Sequence, residues 1–242
     1  MLLKGGLKVS KLIVLNMKMY MDIDDVKNYI NSIENVPDNV IFCPESIYIP
    51  YFLEKYKNIA IQSIYPVDQG AYTGCVSAKQ VKKMGVNYTI VGHSECRKYF
   101  NVTDEDVNLK IKSALNNNLK VILCIGDSKD EKDRNKTFES LKRQLDIGLE
   151  GIKSNDIIVA YEPIYSIGTG VIPTNSDIQT TIDFIKNELK NRNMNLPVIY
   201  GGSVNKDNIG SLNQIDNLDG FMIGGASVHI DQVKRIIEVV NK

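Results

Sequence analysis

The chain of 242 residues contains no tryptophan, only two histidines and no excess of either charge, since 29 Lys and Arg balance 29 Asp and Glu. This balance argues against nucleic-acid binding as the main role, because that role needs a basic surface to neutralise phosphates. The four cysteines are scattered without a Cys-x-x-Cys pair, which argues against a disulfide scaffold, a zinc ribbon and an iron–sulfur site. We therefore expect free thiols in a reducing compartment.

Long apolar runs are also missing. No segment approaches the ~18 consecutive apolar residues of a membrane span. Lysines and glycines interrupt the first eleven residues, which therefore lack the apolar stretch of a signal peptide. With 43% hydrophobic and 24% charged residues, the chain has enough apolar mass for a sizeable core. We expect a cytoplasmic protein that contacts neither membranes nor nucleic acid.

Short apolar runs alternate with helical patterns along the whole chain. Most runs are apolar throughout, which is typical of strands covered on both faces. The predicted strands are residues 12–15, 40–42, 59–61, 88–91, 120–125, 157–161, 198–200 and 220–223. Apolar residues at helical spacing predict helices at 22–35, 104–116, 137–152, 176–189 and 230–240. Thr103 is predicted to be the N-cap of one helix, and either Asn175 or Ser176 that of another.

This alternation predicts an α/β fold in which eight parallel strands form one closed barrel ringed by helices. An open doubly wound sheet is the alternative, but its Gly-x-Gly-x-x-Gly fingerprint does not follow the first strand. No linker or low-complexity segment divides the chain. We therefore expect a single (β/α)8 domain over residues 1–242, with residues 1–10 as a short extension that the barrel does not need.

Polar side chains follow several predicted strands, at the ends that a parallel barrel brings to one face. Asn16 and Lys18 follow the first strand, His93 and Glu95 the fourth, and Glu162 the sixth. Each has an ordinary explanation alone, such as a solvated lysine, a structural histidine or a carboxylate that ends a strand. Their joint placement favours a site. A carboxylate base, a neutral imidazole and a lysine suit proton abstraction beside a carbonyl, with stabilisation of the developing enediolate.

Glycine pairs follow the last two strands, at Gly201–Gly202 and Gly224–Gly225. Phosphate sites in such barrels favour these two loops, where backbone N–H groups and helix N-termini bind the anion. This indicates a small phosphorylated ligand. The His and acidic residues lack the spacing of a metal site, and we expect neither a metal nor a cofactor.

Five segments resemble motifs of the triosephosphate isomerase family, in the same order and over nearly the whole chain. They are residues 16–19 (NMKM), 92–95 (GHSE), 160–170 (AYEPIYSIGTG), 200–204 (YGGSV) and 224–227 (GGAS). The resemblance implies a TIM barrel and a cofactor-free, single-base interconversion of dihydroxyacetone phosphate and D-glyceraldehyde 3-phosphate. Such an enzyme acts in glycolysis and gluconeogenesis.

The resemblance also assigns roles to individual residues. Glu162 is the base, and His93 is a neutral electrophile whose pKa the following helix holds down. Asn16 and Lys18 contact the substrate, and Glu95 supports the site from behind. The phosphate is expected at Gly168, Ser203, Gly224 and Gly225, beneath a lid of Pro163, Ile164, Tyr165, Ser166, Ile167, Gly168, Thr169 and Gly170.

Members of the family are homodimers in which a long loop inserts into the neighbouring subunit. Loop 65–74 has a matching length, with Thr73 at its tip, and Gln62 matches another interface position. The resemblance therefore implies a homodimer that braces Asn16 and Lys18 from across the interface.

The lid departs from the family pattern at its hinges. Tyr165 stands where the family has tryptophan, and Asp127 replaces the glutamate that this tryptophan contacts, which suggests a paired adjustment. In the family, the tyrosine at the position of Tyr200 bonds a backbone N–H of the lid. Here that position is Pro173, which has no N–H, so we expect Tyr200 to lack that bond.

Of three alternative functions, the sequence leaves the first open and argues against the other two. The same residues suit isomerisation of another short phosphorylated ketose, such as erythrulose phosphate. A phosphosugar lyase needs a Schiff-base lysine inside a central strand, and residues 88–91 and 157–161 contain none. A catalytically silent phosphate-binding barrel would be expected to have lost Lys18, His93 or Glu162, and all three are present.

Overall fold

The computed structural model describes residues 10–166 and 172–242, so that only Ser10 of the predicted extension is seen. Each strand coincides with one of the short apolar runs of the sequence, to within one residue at either end. The strands are β1 (Leu12–Asn16), β2 (Val40–Cys43), β3 (Ala60–Ile61), β4 (Tyr88–Val91), β5 (Lys120–Ile125), β6 (Ile157–Tyr161), β7 (Val198–Tyr200) and β8 (Gly220–Ile223).

The strands form one parallel sheet in the order β2-β1-β8-β7-β6-β5-β4-β3. A parallel bridge between Phe42 and Ile59 joins the two outer strands and brings the sheet to a nearly closed barrel. The predicted TIM barrel is therefore confirmed. All carboxyl ends of the strands lie at one end of this barrel, where active sites of the fold occur.

Helices connect the strands and surround the barrel. Their bounds are α1 (Ile23–Ser32), α2 (Ile49–Leu53), α3 (Ala78–Met84), α4 (Ser94–Phe100), α5 (Asp104–Asn116), α6 (Lys129–Asp133), α7 (Thr137–Gly148), α8 (Asn175–Asn191), α9 (Ile209–Leu212) and α10 (Ile230–Val240). The five predicted helices are confirmed, with small differences at their ends. The other five contain four to seven residues, too few to show a helical period in the sequence.

Two of the predicted helix starts have different outcomes. Thr103 is the N-cap of α5, as predicted, and its side chain accepts a hydrogen bond from the backbone N–H of Asp106. The prediction of Asn175 or Ser176 as the N-cap is wrong, because Thr174 is the N-cap of α8 and its side chain accepts from the N–H of Asp177. The carboxylate of Asp177 in turn faces the backbone N–H of Thr174, and this reciprocal pair places the start one residue earlier.

Neighbouring residues of a strand point to opposite faces, so the strands contribute to two hydrophobic clusters, one inside the barrel and one between the barrel and the helices. The inner cluster consists of Val14, Ile41, Cys43, Ala60, Ile90, Ile122, Cys124, Ile158, Ala160, Ile199 and Met222. The larger outer cluster packs the other strand faces against the helices. In the described part of the chain, no helix has both the length and the apolar content that a bilayer span requires.

Gly220 begins β8 at the point where this strand pairs with β1. A Cβ atom at Gly220 would lie 2.3 Å from the carbonyl oxygen of Leu12 and 2.7 Å from its backbone nitrogen. Because these are backbone atoms, the strand pair must separate to accept it. We expect Gly220→Ala to lower the free energy of unfolding by about 1–3 kcal/mol, as for other overpacked interiors.

Urea denaturation followed by far-ultraviolet circular dichroism measures this change. Gly210→Ala is the matched control, because an added Cβ there meets no atom within 4 Å and the residue lies in α9. Alanine in a helix is favoured by about 0.5–1 kcal/mol over glycine. Equal stability of the two variants would contradict the prediction.

Candidate active site

The carboxyl ends of the strands surround a cavity of about 690 Å³. The structure brings together the four residues predicted to contact the substrate, which are Asn16, Lys18, His93 and Glu162. The predicted phosphate-binding residues Ser203, Gly224 and Gly225 line the same cavity. Gly168, the fourth of that group, lies outside the described residues.

Glu162 and His93 form a buried pair at the base of the cavity, with 4% and 5% of their surfaces exposed. The Oε1 atom of Glu162 lies 3.2 Å from the Nε2 atom of His93. On the other side of the ring, Nδ1 accepts a hydrogen bond from the backbone N–H of Glu95 at 3.3 Å. This contact leaves the proton of the neutral ring on Nε2, where it faces the Glu162 carboxylate.

The charges around His93 set the direction of its pKa shift. Burial of the ring lowers the pKa of His93, but the carboxylates of Glu162 and Glu95 together outweigh burial and raise it above its ordinary value. The expectation of a pKa held down by the start of α4 is therefore wrong for this arrangement. The reason is the proximity of Glu162, because a nearby negative charge stabilises the imidazolium.

Lys18 approaches the cavity from the end of β1. Its Nζ atom lies 2.7 Å from Oε1 of Glu95, which places the predicted supporting carboxylate beside the lysine. The backbone of Lys18 has φ +54°, a left-handed conformation that is uncommon for residues other than glycine. Asn16 helps to hold this turn, because its Oδ1 atom accepts from the N–H of Lys18 at 3.2 Å.

Gln62 fixes the same turn from the end of β3. Its side-chain nitrogen donates to the carbonyl oxygen of Lys18 at 2.7 Å and to that of Cys43 at 3.0 Å. The sequence indicated Gln62 as the residue that follows the third strand and as an interface position, but it did not indicate this role. Its position directly after a strand was the available signal, but the two acceptors are distant in sequence.

Two glycines let the backbone approach Glu162 closely. A Cβ at Gly126 would lie 1.9 Å from the carbonyl oxygen of Glu162, and one at Gly201 would lie 3.0 Å from its Cγ atom. The N–H of Glu162 donates to the carbonyl oxygen of Ile125 at 2.8 Å. The glycines after β5 and β7 therefore determine how near the base stands to its neighbouring strands.

An ion-pair network around the buried carboxylate of Asp104 supports the histidine from behind. Arg97 donates through Nε to the carbonyl oxygen of Gly92 at 2.8 Å and through Nη1 to Asp104 at 2.5 Å. Arg143 donates to the second oxygen of Asp104. Because Gly92 directly precedes His93, this network holds the backbone that carries the imidazole. Asp104 and Arg143 were also missed, since they lie on α5 and α7, away from the strand ends.

The phosphate-binding side of the cavity is formed by the loops after β7 and β8. Ser203 has φ +45°, and a Cβ at Gly225 would meet no atom within 4 Å. Gly225 begins a short 3-10 helix, whose first N–H groups have no partner within the helix. Ser227 joins this loop to the site, because its hydroxyl donates to the carbonyl oxygen of Asn16 at 3.0 Å. His229, the second histidine, lies at the rim of the cavity.

The predicted lid is seen as far as Ser166, and Ile167, Gly168, Thr169 and Gly170 lie outside the described residues. Its first part begins with Pro163, and the N–H of Ile164 donates to the carbonyl oxygen of Asp127 at 3.0 Å. The Nζ atom of Lys132 lies 2.6 Å from the hydroxyl of Tyr165 and 4.2 Å from the centre of its ring. Lys132 is a lid contact that the sequence did not indicate.

Asp127 is fully buried beneath this part of the lid. Its carboxylate accepts hydrogen bonds from Thr137 at 2.6 Å and from Tyr161 at 3.1 Å. The suggested pairing of Asp127 with Tyr165 stays a prediction. Among residues 10–166 and 172–242, no group of three or more His, Cys, Asp or Glu side chains is arranged to hold a metal ion.

Comparison with known proteins supplies independent information. The family model described as triosephosphate isomerase matches residues 11–240. A triosephosphate isomerase of Thermodesulfovibrio yellowstonii is 36% identical over 95% of this chain and 99% of its own. Proteins of the same name from Malacoplasma penetrans and Syntrophotalea carbinolica are 33% and 40% identical. The alignment with the Malacoplasma penetrans protein covers 96% of this chain and 99% of the relative. The alignment with the Syntrophotalea carbinolica protein covers 75% of each chain.

The raised pKa of His93 is testable because the chain contains only two histidines. Glu162→Gln removes the negative charge that contributes most to raising this pKa. We therefore expect the pKa of His93 to fall in the variant. A pH titration of the imidazole nitrogen resonances measures it, and His229→Gln identifies the signal by leaving a single histidine. An unchanged or higher pKa in Glu162→Gln would contradict the assignment.

Proposed function

The chain belongs to the triosephosphate isomerase family, and we propose that it interconverts dihydroxyacetone phosphate and D-glyceraldehyde 3-phosphate with Glu162 as its single base. The observation that carries this assignment of roles is the cluster of a buried carboxylate, an imidazole and a lysine in one cavity. A carboxylate base beside electrophiles matches proton abstraction next to a carbonyl group.

In this structure the carboxylate of Glu162 faces the Nε2 proton of His93. In the proposed reaction, the carbonyl oxygen of the substrate replaces Glu162 as the acceptor of this hydrogen bond. The side-chain nitrogen of Asn16 lies 3.2 Å from the same ring atom, so its N–H group is placed to donate to the same substrate oxygen. The released carboxylate removes a proton from the first carbon, and the C–H electron pair forms the double bond of the enediolate. The same carboxylate then returns the proton to the second carbon, while the hydroxyl proton passes from one oxygen to the other through His93.

Lys18 and the two glycine loops supply the electrostatic part of the proposal. The ammonium group of Lys18 is held at the cavity by Glu95 and offsets the charge of the enediolate and the phosphate. The phosphate binds the N–H groups at Ser203, Gly224 and Gly225, together with Gly168 from the lid. We propose residues 163–170 as a lid whose closure excludes water and protects the enediolate.

Replacement of the base is the direct test of this mechanism. We expect Glu162→Gln to lower kcat for D-glyceraldehyde 3-phosphate by about 10²–10⁴-fold, the usual contribution of a positioned acid or base. A coupled spectrophotometric assay of the purified protein measures the rate. Glu150→Gln is the matched control, because this exposed glutamate follows α7 at the opposite end of the barrel. Wild-type protein without turnover, or an equally active Glu162→Gln, would refute the proposal.

We further propose that the enzyme is a homodimer joined through the connections that follow β1, β2 and β3 and through α4, the first helix after β4. These connections carry a group of exposed apolar side chains, with Met19 89%, Ile47 72% and Phe100 75% exposed. Tyr20, Tyr51, Val67, Tyr72 and Tyr99 are also exposed there. Large apolar side chains left exposed in this number are what a protein interface would cover.

Loop 65–74 is the proposed inserting element, with Thr73 at its exposed tip. Contacts within the loop keep its shape. The rings of Tyr65 and Tyr72 lie 4.6 Å apart, and the side chain of Asn117 donates to Asp68 at 2.9 Å. A loop ordered before association loses less entropy on binding, which supports its role in docking.

A charge at the tip tests the dimer. We expect Thr73→Arg to shift the protein towards a monomer of 27.2 kDa, because the proposed partner surface is apolar. Loss of the brace beside Lys18 is expected to lower kcat/KM by about 10–100-fold, as for other small displacements of a catalytic group.

Light scattering coupled to size-exclusion chromatography measures the mass, and the same coupled assay measures the activity. Leu109→Arg on α5 is the matched control, since it also adds a charge at an exposed apolar position, 53% exposed, outside the proposed interface. A Thr73→Arg protein that keeps the mass of a dimer would count against the proposed loop.

We place the enzyme in the cytoplasm, where free thiols persist and glycolysis proceeds. All four cysteines are free in the structure, which agrees with a reducing compartment. The whole chain is proposed to be one domain whose partners are a second copy and a small phosphorylated sugar.

A further inference from the structure

The hydroxyl of Ser227 joins two parts of the site that lie 211 residues apart in the sequence. Ser227 belongs to the short 3-10 helix Gly225–Val228 that follows β8, and its surface is 0% exposed. Its Oγ atom donates to the backbone carbonyl oxygen of Asn16 at 3.0 Å. The loop after β8 and the end of β1 are therefore connected by a hydrogen bond from which water is excluded, where such bonds are strong.

This bond lies where the ladder between β1 and β8 stops. Leu15 and Ile223 are the last residues that the described ladder pairs, whereas Asn16 is paired with Cys43 on the side of β2. A backbone carbonyl group in a buried position needs a donor. The side chain of Ser227 supplies one from the turn that follows β8, in the place of a further strand residue.

The loop after β8 also packs against Lys18. A Cβ atom at Gly224 would lie 3.1 Å from Cε of Lys18 and 3.6 Å from its Nζ atom, so glycine leaves room for the lysine stem. The loop keeps its own shape through the backbone, because the N–H of Ser227 donates to the carbonyl oxygen of Gly224 at 2.8 Å. The hydroxyl of Ser227 therefore acts between the loop and Asn16 rather than within the loop.

Asn16 links this contact to the imidazole. Its side-chain nitrogen lies 3.2 Å from Nε2 of His93, and its Oδ1 atom accepts from the N–H of Lys18 at 3.2 Å. Lys18 has two further partners, because Glu95 holds its ammonium group and Gln62 its carbonyl oxygen. Asn16 is thus the residue of this turn that Ser227 holds directly.

We propose that Ser227 is a positioning residue that sets the distance between the phosphate-binding loop after β8 and the side-chain amide of Asn16. This inference rests on the proposed isomerase function. A triose phosphate is short, so its phosphate and its carbonyl group reach both parts at once only when their separation is fixed. Ser227 acts on the reaction through Asn16 and touches no reacting atom.

Two ligands of different length test this role. Inorganic phosphate reaches the glycine loops alone, whereas the carboxylate of 2-phosphoglycolate extends to the amide of Asn16. We expect Ser227→Ala to bind 2-phosphoglycolate about tenfold more weakly, the effect of losing one hydrogen bond. Its affinity for inorganic phosphate should equal that of the wild type, because the backbone of the loop is retained. Isothermal titration calorimetry measures both affinities.

Steady-state kinetics supply a second readout. We expect kcat/KM of Ser227→Ala for D-glyceraldehyde 3-phosphate to fall by about 10–100-fold, as for other small displacements of a catalytic group. Because the phosphate still binds, most of this loss should appear in kcat. Ser113→Ala is the matched control, since it removes a buried serine hydroxyl of α5 that has no partner among the described residues. This control should leave the affinities and kcat unchanged.

A second variant separates the hydrogen bond from the volume of the side chain. Ser227→Cys keeps a side chain of similar shape, but a thiol is a weak donor. We expect its affinity for 2-phosphoglycolate to lie between those of the wild type and Ser227→Ala. This variant also carries the test if circular dichroism shows that the alanine variant does not fold.

Two results would overturn the inference in an active wild-type enzyme. One is an unchanged affinity for 2-phosphoglycolate and an unchanged kcat/KM in the Ser227 variants. The other is an equal loss of affinity for both ligands, which would mean that Ser227 only maintains the phosphate-binding loop. Failure of the proposed function has a different signature, because the wild-type protein itself would then show no turnover of D-glyceraldehyde 3-phosphate.

Discussion

The contact between the carboxylate of Glu162 and the imidazole of His93 is the constraint to which the surrounding structure is fitted. A carboxylate this deeply buried needs a donor, and the Nε2 atom at 3.2 Å provides it. The two residues follow β6 and β4, on either side of β5, so the barrel must place both strand ends at the correct depth. Gly126 after β5 permits this, because any side chain there would collide with the backbone of Glu162.

The same contact keeps the Glu162 carboxylate paired before the substrate binds and allows the substrate to release it. Glu162 raises the pKa of His93, while Glu95 holds Lys18 at 2.7 Å, so each charged group begins with a partner. A substrate carbonyl that takes the His93 contact leaves Glu162 without its donor and therefore more basic. Binding of the substrate and activation of Glu162 are then one event. The carboxylate loses its partner only when a substrate proton lies beside it.

Much of the fold and the central residues of the site were predictable from the sequence, because strands buried on both faces leave continuous apolar runs and their ends carry the site. Short helices such as α9 were not, since four residues show no period. The two hydrogen bonds of Gln62 depend on which backbone carbonyls the barrel brings to it. The direction of the His93 pKa shift depends likewise on a tertiary distance, and local reasoning from the start of α4 predicted the opposite direction.

Both halves of the barrel, β1 to β4 and β5 to β8, contribute residues to the site. Asn16, Lys18 and His93 come from the half whose connections carry the exposed apolar surface, whereas Glu162 and the glycine loops come from the other half. Lid contacts such as those of Lys132 and Ser203 lie entirely in the second half. A lid without tryptophan can therefore be held by other polar contacts without moving Lys18 or His93. Two contacts of the site join the halves: the pair of Glu162 and His93, and the hydroxyl of Ser227 that donates to the carbonyl oxygen of Asn16.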